Sequence, residues 1–306
     1  VKTYASASSP TNSRTAFNYF NGTKYINNEE EDFAYVATAP ADLRTRHLPE
    51  EVFAFNHPEA TNALNAAGST TRAKIQAALD GPSRVVYVPA GYHGINGSIT
   101  VPLGKVLIGD PGKRTFLNPT YTPTAQTFVV QTAAGTGSAV IQDLFIGTRD
   151  LNFDCGIHWR ASSGFMLNVR NFPGHSHNER NTQAYQFTGS AGGKFYGIAD
   201  HRNLLLNINP ASTNFRKVLI SGTSNPITFY GLNLERGGEQ RNRTQSPFCE
   251  IKNSSNVRIF GSKTEPDQGE VFRIENSAYI ALTSIFTHRV TPNPLVVLAN
   301  GAGTFD

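Results

Sequence analysis

The stretch "NPITFYGLNLE" at residues 225–235 is echoed by "SSNVRIFGSKTE" at residues 254–265. When Ile227 is aligned with Val257, apolar residues alternate in both copies, and two identities fall into place: Gly231 with Gly261, and Glu235 with Glu265. Alternation of apolar and polar residues predicts a strand, and the glycine that follows predicts a turn. The sequence therefore repeats one short strand and its turn after thirty positions.

A second repeat supports the first at a shorter spacing. The phrase "NSSNVRIFG" (253–261) recurs as "NSAYIALTS" (276–284), and "LNVRNF" (167–172) is a fainter copy. Self-similarity every 20 to 30 residues, with strands and almost no helix, is typical of a parallel β-helix whose coils stack about 4.8 Å apart. We therefore predict an all-β fold, a single-domain right-handed parallel β-helix with a short N-terminal helical cap, in which Gly231 and Gly261 are corners of successive coils.

Two other all-β folds fit the sequence less well. A propeller would repeat every 40 residues or so, and no such period is present. A sandwich needs hairpin turns, and the Asn-Gly or Asp-Gly pairs that favour them are limited to weak candidates at Asn96-Gly97 and Asp80-Gly81.

The chain is predicted to be one domain, residues 1–306, with an N-terminal arm and cap at 1–80 and coils at 84–300. The one good helical stretch is "STTRAKIQAALDG", which Thr70 or Thr71 can begin and Gly81 can end. Its apolar face consists of Ile75, Ala78 and Leu79, and we expect it to cover one end of the β-helix.

Composition narrows the classes of partner. The net charge of +4 suits an anionic polymer, but the Lys/Arg runs typical of nucleic-acid binding are missing. No apolar run approaches the length of a membrane helix. We therefore predict a protein without nucleic-acid or membrane partners. We also predict that the protein is a monomer. The sequons at Asn21, Asn96, Asn242 and Asn253 suit a secreted protein, although an Asn- and Ser-rich chain forms such triplets by chance. Cys155 and Cys249 either form a disulfide or are two buried thiols.

Three phrases carry a resemblance to a known superfamily. They are "RVVYVPAGYHGINGSITVP" followed by "KVLIGD", then "AVIQDLFIG" with "CGIHWRASSGFMLNVR", and finally the repeat at 225–265. Over residues 60–290 the chain resembles the pectate-lyase-like superfamily of β-helix carbohydrate enzymes. Within it, the chain is similar to the alginate lyases of polysaccharide lyase family 31. The resemblance implies a secreted lyase that cleaves an anionic polyuronate, alginate first, by β-elimination.

The chain departs from better-known members of that superfamily. The Asn-Thr-Asp, paired Asp and Gly-His-Gly set of the polygalacturonases is absent, and "PGHSH" (173–177) is a fragment of it. Only Glu265, Asp267 and Glu270 cluster in the way that calcium-dependent pectate lyases group their aspartates. We therefore predict neither a metal site nor a cofactor.

Elimination from a uronate polymer needs a group that neutralises the carboxylate, a base for the C5 proton and an acid for the leaving oxygen. Residues 170–245 concentrate the side chains suited to these tasks. We predict Lys217 and Tyr185 as the base and acid pair, with Arg236 on the carboxylate. The resemblance implies a Tyr, Lys and Arg in this chain order, with Tyr196 as the competing tyrosine. The predicted substrate-binding residues are Arg170, His175, His177, Tyr196, Arg241 and Arg243.

Two other functions remain open at this stage. A β-helix glycoside hydrolase would use paired carboxylates, for which Glu235 and Glu265 are the candidates because they follow equivalent strands. A glycan-binding β-helix without catalytic activity would need neither set, since a fold does not determine a function.

Overall fold

The computed structural model describes residues 2–5, 15–20, 23–27, 49, 51–54, 56–121, 128–147, 155–172, 183–200, 216–234, 247–264, 270–287 and 296–300. The chain forms two compact units, Val1–Glu50 and Glu51–Asp306. In the first unit, three strands pair as an antiparallel sheet: β1 (Lys2–Ala5), β2 (Thr15–Phe20) and β3 (Thr23–Asn27). The sequence predicted an N-terminal arm and cap at 1–80, and these three strands were not predicted within it.

The second unit is a parallel β-solenoid whose strands stack in three rows, here called face A, face B and face C. Face A is an eight-stranded sheet of β7 (Ile99–Val101), β10 (Phe128–Thr132), β13 (Cys155–Trp159), β16 (Gln183–Thr188), β19 (Arg216–Ser221), β22 (Cys249–Lys252), β24 (Phe272–Glu275) and β26 (Val296–Ala299).

Faces B and C belong to one sheet, because its last two strands run through both. Face B contains β4 (Ala60–Asn62), β5 (Val85–Tyr87), β8 (Val106–Ile108), β11 (Gly135–Gln142), β14 (Ala161–Leu167), β17 (Gly193–Tyr196) and β20 (Ile227–Tyr230). Face C contains β6 (Gly91–Ile95), β9 (Thr115–Pro119), β12 (Phe145–Gly147), β15 (Arg170–Phe172), β18 (Ala199–Asp200) and β21 (Asn233–Leu234). The two shared strands are β23 (Ser255–Thr264) and β25 (Ala278–Thr287).

Strand pairing confirms the repeat from which the fold was predicted. Strands β20 and β23 are parallel neighbours in which Ile227 pairs with Val257 and Tyr230 pairs with Phe260. The second repeat is also a pair of neighbours, since β23 places Ser255 opposite Ala278 on β25. Each repeat is therefore one coil stacked on the next, and the parallel β-helix prediction is confirmed.

Two of the three corners are short and use the same backbone conformation in coil after coil. At the A–B corner the residue after the last five face A strands, β16 to β26, has a positive φ, between 46° and 68°: Gly189, Gly222, Asn253, Asn276 and Asn300. The B–C corner repeats this with φ between 52° and 70° at Asn168, Asp143, Gly197, Gly231, Gly261 and Ser284. Gly, Asn and Asp tolerate the left-handed region best, which explains why they recur at these positions.

The interior is filled by side chains that stack along the solenoid axis. Trp159, Phe187, Phe195 and Phe229 are fully buried. Phe187 packs edge-on against both Phe195 and Phe229, with ring centroids 4.7 and 5.4 Å apart. Edge-to-face rings of this kind stabilise a core beyond the burial of their area.

The predicted helix is confirmed as α1 (Thr71–Asp80), with Thr70 as its N-cap and Gly81 as its C-cap. The Thr70 hydroxyl accepts a hydrogen bond from the Ala73 amide, and Ile75, Ala78 and Leu79 are buried. The Gln76 side chain bonds both the amide and the carbonyl of Thr100 in β7, the first strand of face A. The helix therefore covers an edge strand that would otherwise present unpaired backbone groups.

Two sequence predictions, the disulfide and the lack of a membrane helix, can be compared with the described residues. Cys249 is a buried free thiol, so the predicted disulfide with Cys155 is wrong. The reason is geometric: β13 and β22 are separated by two strands of face A, which puts them roughly 14 Å apart, beyond the reach of a disulfide. Over the described ranges, no helix has the length and hydropathy that a membrane crossing requires.

Candidate functional site

The third corner, at which a face C strand leads into the next face A strand, differs from the other two in length. After a first, described crossing at 96–98, the chain crosses it in the segments 122–127, 148–154, 173–182, 201–215, 235–246, 265–269 and 288–295, which lie outside the described residues. The strands that end and begin at this corner are described, and these strands stack on one another as parallel neighbours. Here the sequence departs most from its repeat, and such departures are where binding and catalytic residues are expected.

Among the described residues, the topology brings one predicted residue to this C–A corner: Lys217, near the start of β19. Arg170 begins β15 and therefore lies at the opposite end of that strand, next to the B–C corner. Arg170 is exposed on the outside of face C, and its guanidinium lies 5.8 Å from the centroid of the Phe145 ring. Seven predicted residues lie in segments between these strands and outside the described residues: His175, His177, Arg236, Arg241, Arg243, Glu235 and Glu265.

Lys217 does not alternate outward into water. Its side chain is fully buried, and its ammonium lies 5.4 Å from the centroid of the Phe248 ring. Register places Lys217 beside Ala184 of β16, in a buried row at the inner edge of the corner. Asn171 of face C donates from its amide to the Ala184 carbonyl, so faces C and A are joined directly below this point.

Tyr185 lies inside the solenoid, contrary to what its predicted catalytic role requires. Its side chain is 0% exposed, and its hydroxyl lies 2.9 Å from the Val169 carbonyl and 2.8 Å from the Ala199 carbonyl. Tyr185 pairs with Ile157 and Val218, both buried, which makes it one step of the interior stack. The structure therefore gives Tyr185 the role of a core residue, because its hydroxyl is engaged with two backbone carbonyls inside the solenoid.

Tyr196, the competing tyrosine, is half-buried at the end of β17 on the outside of face B. Its ring stacks on that of Tyr230 at 4.9 Å, and Tyr230 stacks on Phe260 at 5.6 Å. This row lies across face C from the C–A corner. Tyr196 is therefore not brought together with Lys217, whereas Tyr185 lies one residue along β16 from Ala184, the residue beside Lys217, with its ring in the interior.

The outer surface of face A adjoins the C–A corner and carries a row of polar side chains. In register from coil to coil, this row contains Thr100, Gln131, His158, Gln186, Glu250 and Arg273, and it is interrupted by the apolar Leu219 between Gln186 and Glu250. Amide, imidazole and guanidinium groups of this kind bind sugar hydroxyls and carboxylates. This row and the C–A corner together form the candidate site.

The carboxylates of this surface are already engaged. Glu250 forms an ion pair with Arg216 at 2.8 Å, with the two side chains 8% and 12% exposed, and a longer one with Lys252 at 3.8 Å. Glu270 accepts two hydrogen bonds from Arg273, and Glu275 accepts one from the Asn300 amide. Each of these carboxylates therefore already has an arginine or amide partner. The described part of face A offers no free pair of carboxyl groups that could act as acid and base.

His158 is the residue of this site that sequence analysis missed. Alternation along β13 predicts it to be a surface residue, but it is only 9% exposed and its ring lies 4.3 Å from that of Phe128. Its Nε2 lies 2.7 Å from the Thr188 hydroxyl, whereas its Nδ1 is buried and has no hydrogen-bond partner in the described part of the chain. Burial, and secondarily the charge of Arg160, lower the pKa of His158 to about 4. The imidazole is therefore neutral at physiological pH.

Arg160 brings a cation to the same place. Its Nη2 donates to the Gln131 side-chain oxygen at 3.1 Å, and its Nε donates to the Thr132 carbonyl at 3.2 Å. The register of the coils is the feature that could have identified His158 and Arg160 as site residues. In that register, Gln131 and Gln186 occupy the same outward position as His158 in neighbouring coils.

Within the described ranges, no three His, Cys, Asp or Glu side chains come together in a way that would hold a metal ion.

No family model matches the chain, and no curated protein matches it. Among solved structures, the chain is similar to PfbA, a surface adhesin of Streptococcus pneumoniae, with 9% identity, 81% of this chain and 93% of that chain covered, and a TM-score of 0.33. It is also similar to the Agl-KA catalytic domain, with 11% identity, 81% and 68% covered, and a TM-score of 0.28. A third match is the catalytic domain of a GH87 alpha-1,3-glucanase in complex with tetrasaccharides, with 12% identity, 88% and 69% covered, and a TM-score of 0.27.

Proposed function

We propose that this chain is a secreted polysaccharide lyase that binds an anionic polyuronate along the C–A corner and outer face A and cleaves it by β-elimination, with alginate as the first substrate to test. The observation that supports this most is the composition of the site. Cations and amides (Arg160, Arg216, Gln131, Gln186) line face A, and a buried lysine lies at its edge.

The charge pattern favours an anionic substrate. Guanidinium groups pair with carboxylates in a fixed, two-pronged geometry, and every repeat unit of a polyuronate carries one carboxylate. Because coils stack about 4.8 Å apart, side chains at equivalent positions present a linear series of donors to an extended polymer.

Elimination is proposed ahead of hydrolysis because the described carboxylates of face A offer no free pair, while the hydrolase candidates Glu235 and Glu265 lie outside the described residues. Hydrolysis of a glycosidic bond uses two carboxyl groups, one to protonate the leaving oxygen and one to act as base or nucleophile. Glu250, Glu270 and Glu275 are each held by a basic or amide partner and are not poised for either task.

In the proposed reaction Lys217 takes the C5 proton while an arginine neutralises the uronate carboxylate. Buried lysines are used as bases because burial favours the neutral amine. Arg236 keeps its proposed role on the carboxylate, and His175, His177, Arg241 and Arg243 keep theirs in substrate binding. The C4–O bond breaks as the C4=C5 double bond forms, and the leaving oxygen takes its proton from water rather than from Tyr185, which is a core residue.

The test is to mix the purified protein with alginate, polyglucuronate and polygalacturonate and to follow ultraviolet absorbance and new reducing ends together. Elimination leaves an unsaturated uronate, so absorbance and reducing ends should rise in step on at least one polymer. Reducing ends without absorbance would mean hydrolysis, and neither signal on any of the three would leave a binding protein. Lys217→Met is the matched variant, because methionine fills the volume without an amine.

A further inference from the structure

A shallow groove of about 440 Å³ lies at the A–B corner, at the opposite end of the face A strands from the C–A corner. It is lined by residues 222–224, 253–255 and 276–278, which are the same three corner positions in three successive coils. Because the coils stack about 4.8 Å apart, the groove extends roughly 10 Å along the solenoid axis. Its volume is in the range of small-ligand sites.

The floor of the groove is rigid, because its hydroxyl groups are already used. Thr223, Ser254 and Ser277 are only 3%, 5% and 4% exposed. The Ser277 hydroxyl accepts from the Ser254 amide at 3.1 Å and donates to the Glu275 carbonyl at 2.7 Å. The Ser254 hydroxyl repeats this pattern with the Thr223 amide and the Lys252 carbonyl. A ligand would therefore meet a preformed surface, which lowers the entropic cost of binding.

Two side-chain amides in the lining are not used by the fold. Asn253 and Asn276 are exposed, lie one coil apart and share a left-handed backbone conformation, with φ of 48° and 46°. Neither side chain forms a hydrogen bond within the described part of the chain, whereas Asn300, at the same position one coil further, donates to the Glu275 carboxylate at 3.0 Å. Each free amide offers an acceptor and two donors to a ligand in the groove.

The groove is uncharged, in contrast to face A. Among the described residues that line it, none is ionisable. The ionisable residues that precede the two asparagines are Lys252 and Glu275, and both are engaged: the Lys252 ammonium lies 3.8 Å from the Glu250 carboxylate, and Glu275 accepts from Asn300. A carboxylate would find no cation in the lining, but an uncharged ligand rich in hydroxyl groups would find donors and acceptors.

Tyr279 places an exposed aromatic ring one residue beyond the lining. It follows Ala278, is 65% exposed and has a φ of 57°. Register sets it opposite Asn256 of the preceding coil, which has a φ of 61°. The left-handed conformation costs about 1–2 kcal/mol for most residues and is tolerated by Asn, so the fold alone would favour Asn at this position. An exposed tyrosine in a backbone conformation that disfavours it indicates a binding role.

We propose that this groove, with Tyr279 at its edge, binds a neutral polysaccharide: Asn253 and Asn276 bond the hydroxyl groups of the sugars, and the Tyr279 ring packs on the apolar face of a pyranose. This inference does not rest on the proposed function. It adds a second glycan-binding surface that differs from face A in place and in charge. Such a surface would hold the protein on a matrix that contains neutral polysaccharide while face A engages an anionic polymer.

The experiment measures dissociation constants by titration calorimetry for three neutral hexasaccharides (cellohexaose, mannohexaose and xylohexaose) and for a mannuronate hexamer. The double variant Asn253→Gly/Asn276→Gly removes both amides and keeps the left-handed backbone, as Gly222 does at the same position one coil earlier. The matched control is Asn168→Gly at the B–C corner, where φ is 52° and the amide donates to Asp143 at 2.8 Å.

Tyr279→Asn removes the ring and installs the residue that Asn256 provides in the preceding coil. We expect at least one neutral hexamer to bind the unaltered protein, and the double variant to weaken that binding about tenfold, the size of one or two lost hydrogen bonds. Asn168→Gly should leave the binding unchanged. Tyr279→Asn should weaken it about three- to tenfold while the thermal midpoint stays equal or rises, because Asn suits the backbone better.

The proposal is overturned if none of the three neutral hexamers binds, or if the double variant and Asn168→Gly bind them alike. A lower thermal midpoint for Tyr279→Asn with unchanged binding would make Tyr279 a structural residue and remove it from the site. An equal loss of mannuronate binding in the double variant would assign the groove to the anionic polymer instead. Failure of the proposed function would appear separately, as unaltered protein that binds a neutral hexamer and does not cleave polyuronates.

Discussion

The short corners and the long corner of this solenoid are built on opposite principles. At the A–B and B–C corners, Gly, Asn or Asp takes a left-handed conformation in coil after coil, and the next strand begins within a few residues. At the C–A corner the connecting segments differ in length and sequence from one coil to the next. The uniform corners specify the fold, and the variable corner, with face A beside it, is where the chain has room for chemistry.

The largest effect on stability is expected in the stack that the uniform corners support. Phe229 is fully buried and packs against Phe187 and Phe195, so Phe229→Ala should lower the free energy of unfolding by about 3–5 kcal/mol. Chemical denaturation measures this, with the outward neighbour Thr228→Ala as control at about 0.5 kcal/mol or less. Equal losses for the two variants would mean that the interior stack does not hold the coils together.

The variable corner should show the reverse division between activity and stability. Lys217→Met should reduce the turnover of the responsive polyuronate by roughly 10²–10⁴-fold, the range for a lost acid–base group, while the protein stays folded. Turnover and far-ultraviolet circular dichroism should be measured on the same preparation. A folded variant with full turnover would remove Lys217 from the reaction.

Through His158, face A should also make the free energy of unfolding depend on pH, which the residues of the short corners do not. The pKa of His158 is about 4 in the folded protein and about 6.5 in the unfolded chain, so the unfolded chain binds more protons between these values. Stability should therefore fall by an amount on the order of 3 kcal/mol as the pH drops from about 6.5 to 4. The charged group of the described chain that acts on this histidine is Arg160, and it favours the same direction.

Denaturation at pH 7 and pH 4.5 tests this in the unaltered protein and in His158→Phe. The variant should lose this part of the pH dependence, and His93→Phe should keep it. A pH profile that is the same in all three proteins would contradict the neutral, buried state of His158.

The smallest effect isolates the conformational rule of the short corners. Gly231 has a φ of 70°, and a Cβ there would meet no atom within 4 Å. Gly231→Ala should therefore cost about 1–2 kcal/mol through backbone conformation alone, and Gly231→Asn should cost less because Asn168 occupies the same position in an earlier coil. If both variants cost the same, the left-handed preference is not what selects residues at this corner.

This division also explains what the sequence could predict. The repeat at 225–265 gave the coil register correctly because Gly231 and Gly261 mark the same turn and apolar residues alternate between the turns. The role of Tyr185 was assigned wrongly because a tyrosine in a strand fits the interior or the surface equally well by alternation, and its neighbours Ile157 and Val218 settle the matter only once the coils are stacked.

His158 could not be found from sequence for a similar reason. Its burial depends on Phe128 and its orientation on Thr188, residues thirty positions away in either direction along the chain. Stacking of coils creates these contacts, and nothing in the local pattern of β13 encodes them. Likewise, β23 and β25 each continue through a corner, which the separate short strands of earlier coils did not suggest.

The most direct test of the division is hydroxyl-radical footprinting of the protein with and without a saturating polyuronate oligosaccharide. Aromatic side chains that are not buried serve as internal probes on every face: Phe128 on face A, Tyr230 and Tyr279 on face B, and Tyr92 on face C. We predict protection of Phe128, with the reactivity of Tyr92, Tyr230 and Tyr279 unchanged. Protection of the tyrosines with Phe128 unaffected would place the ligand on another face and contradict the account.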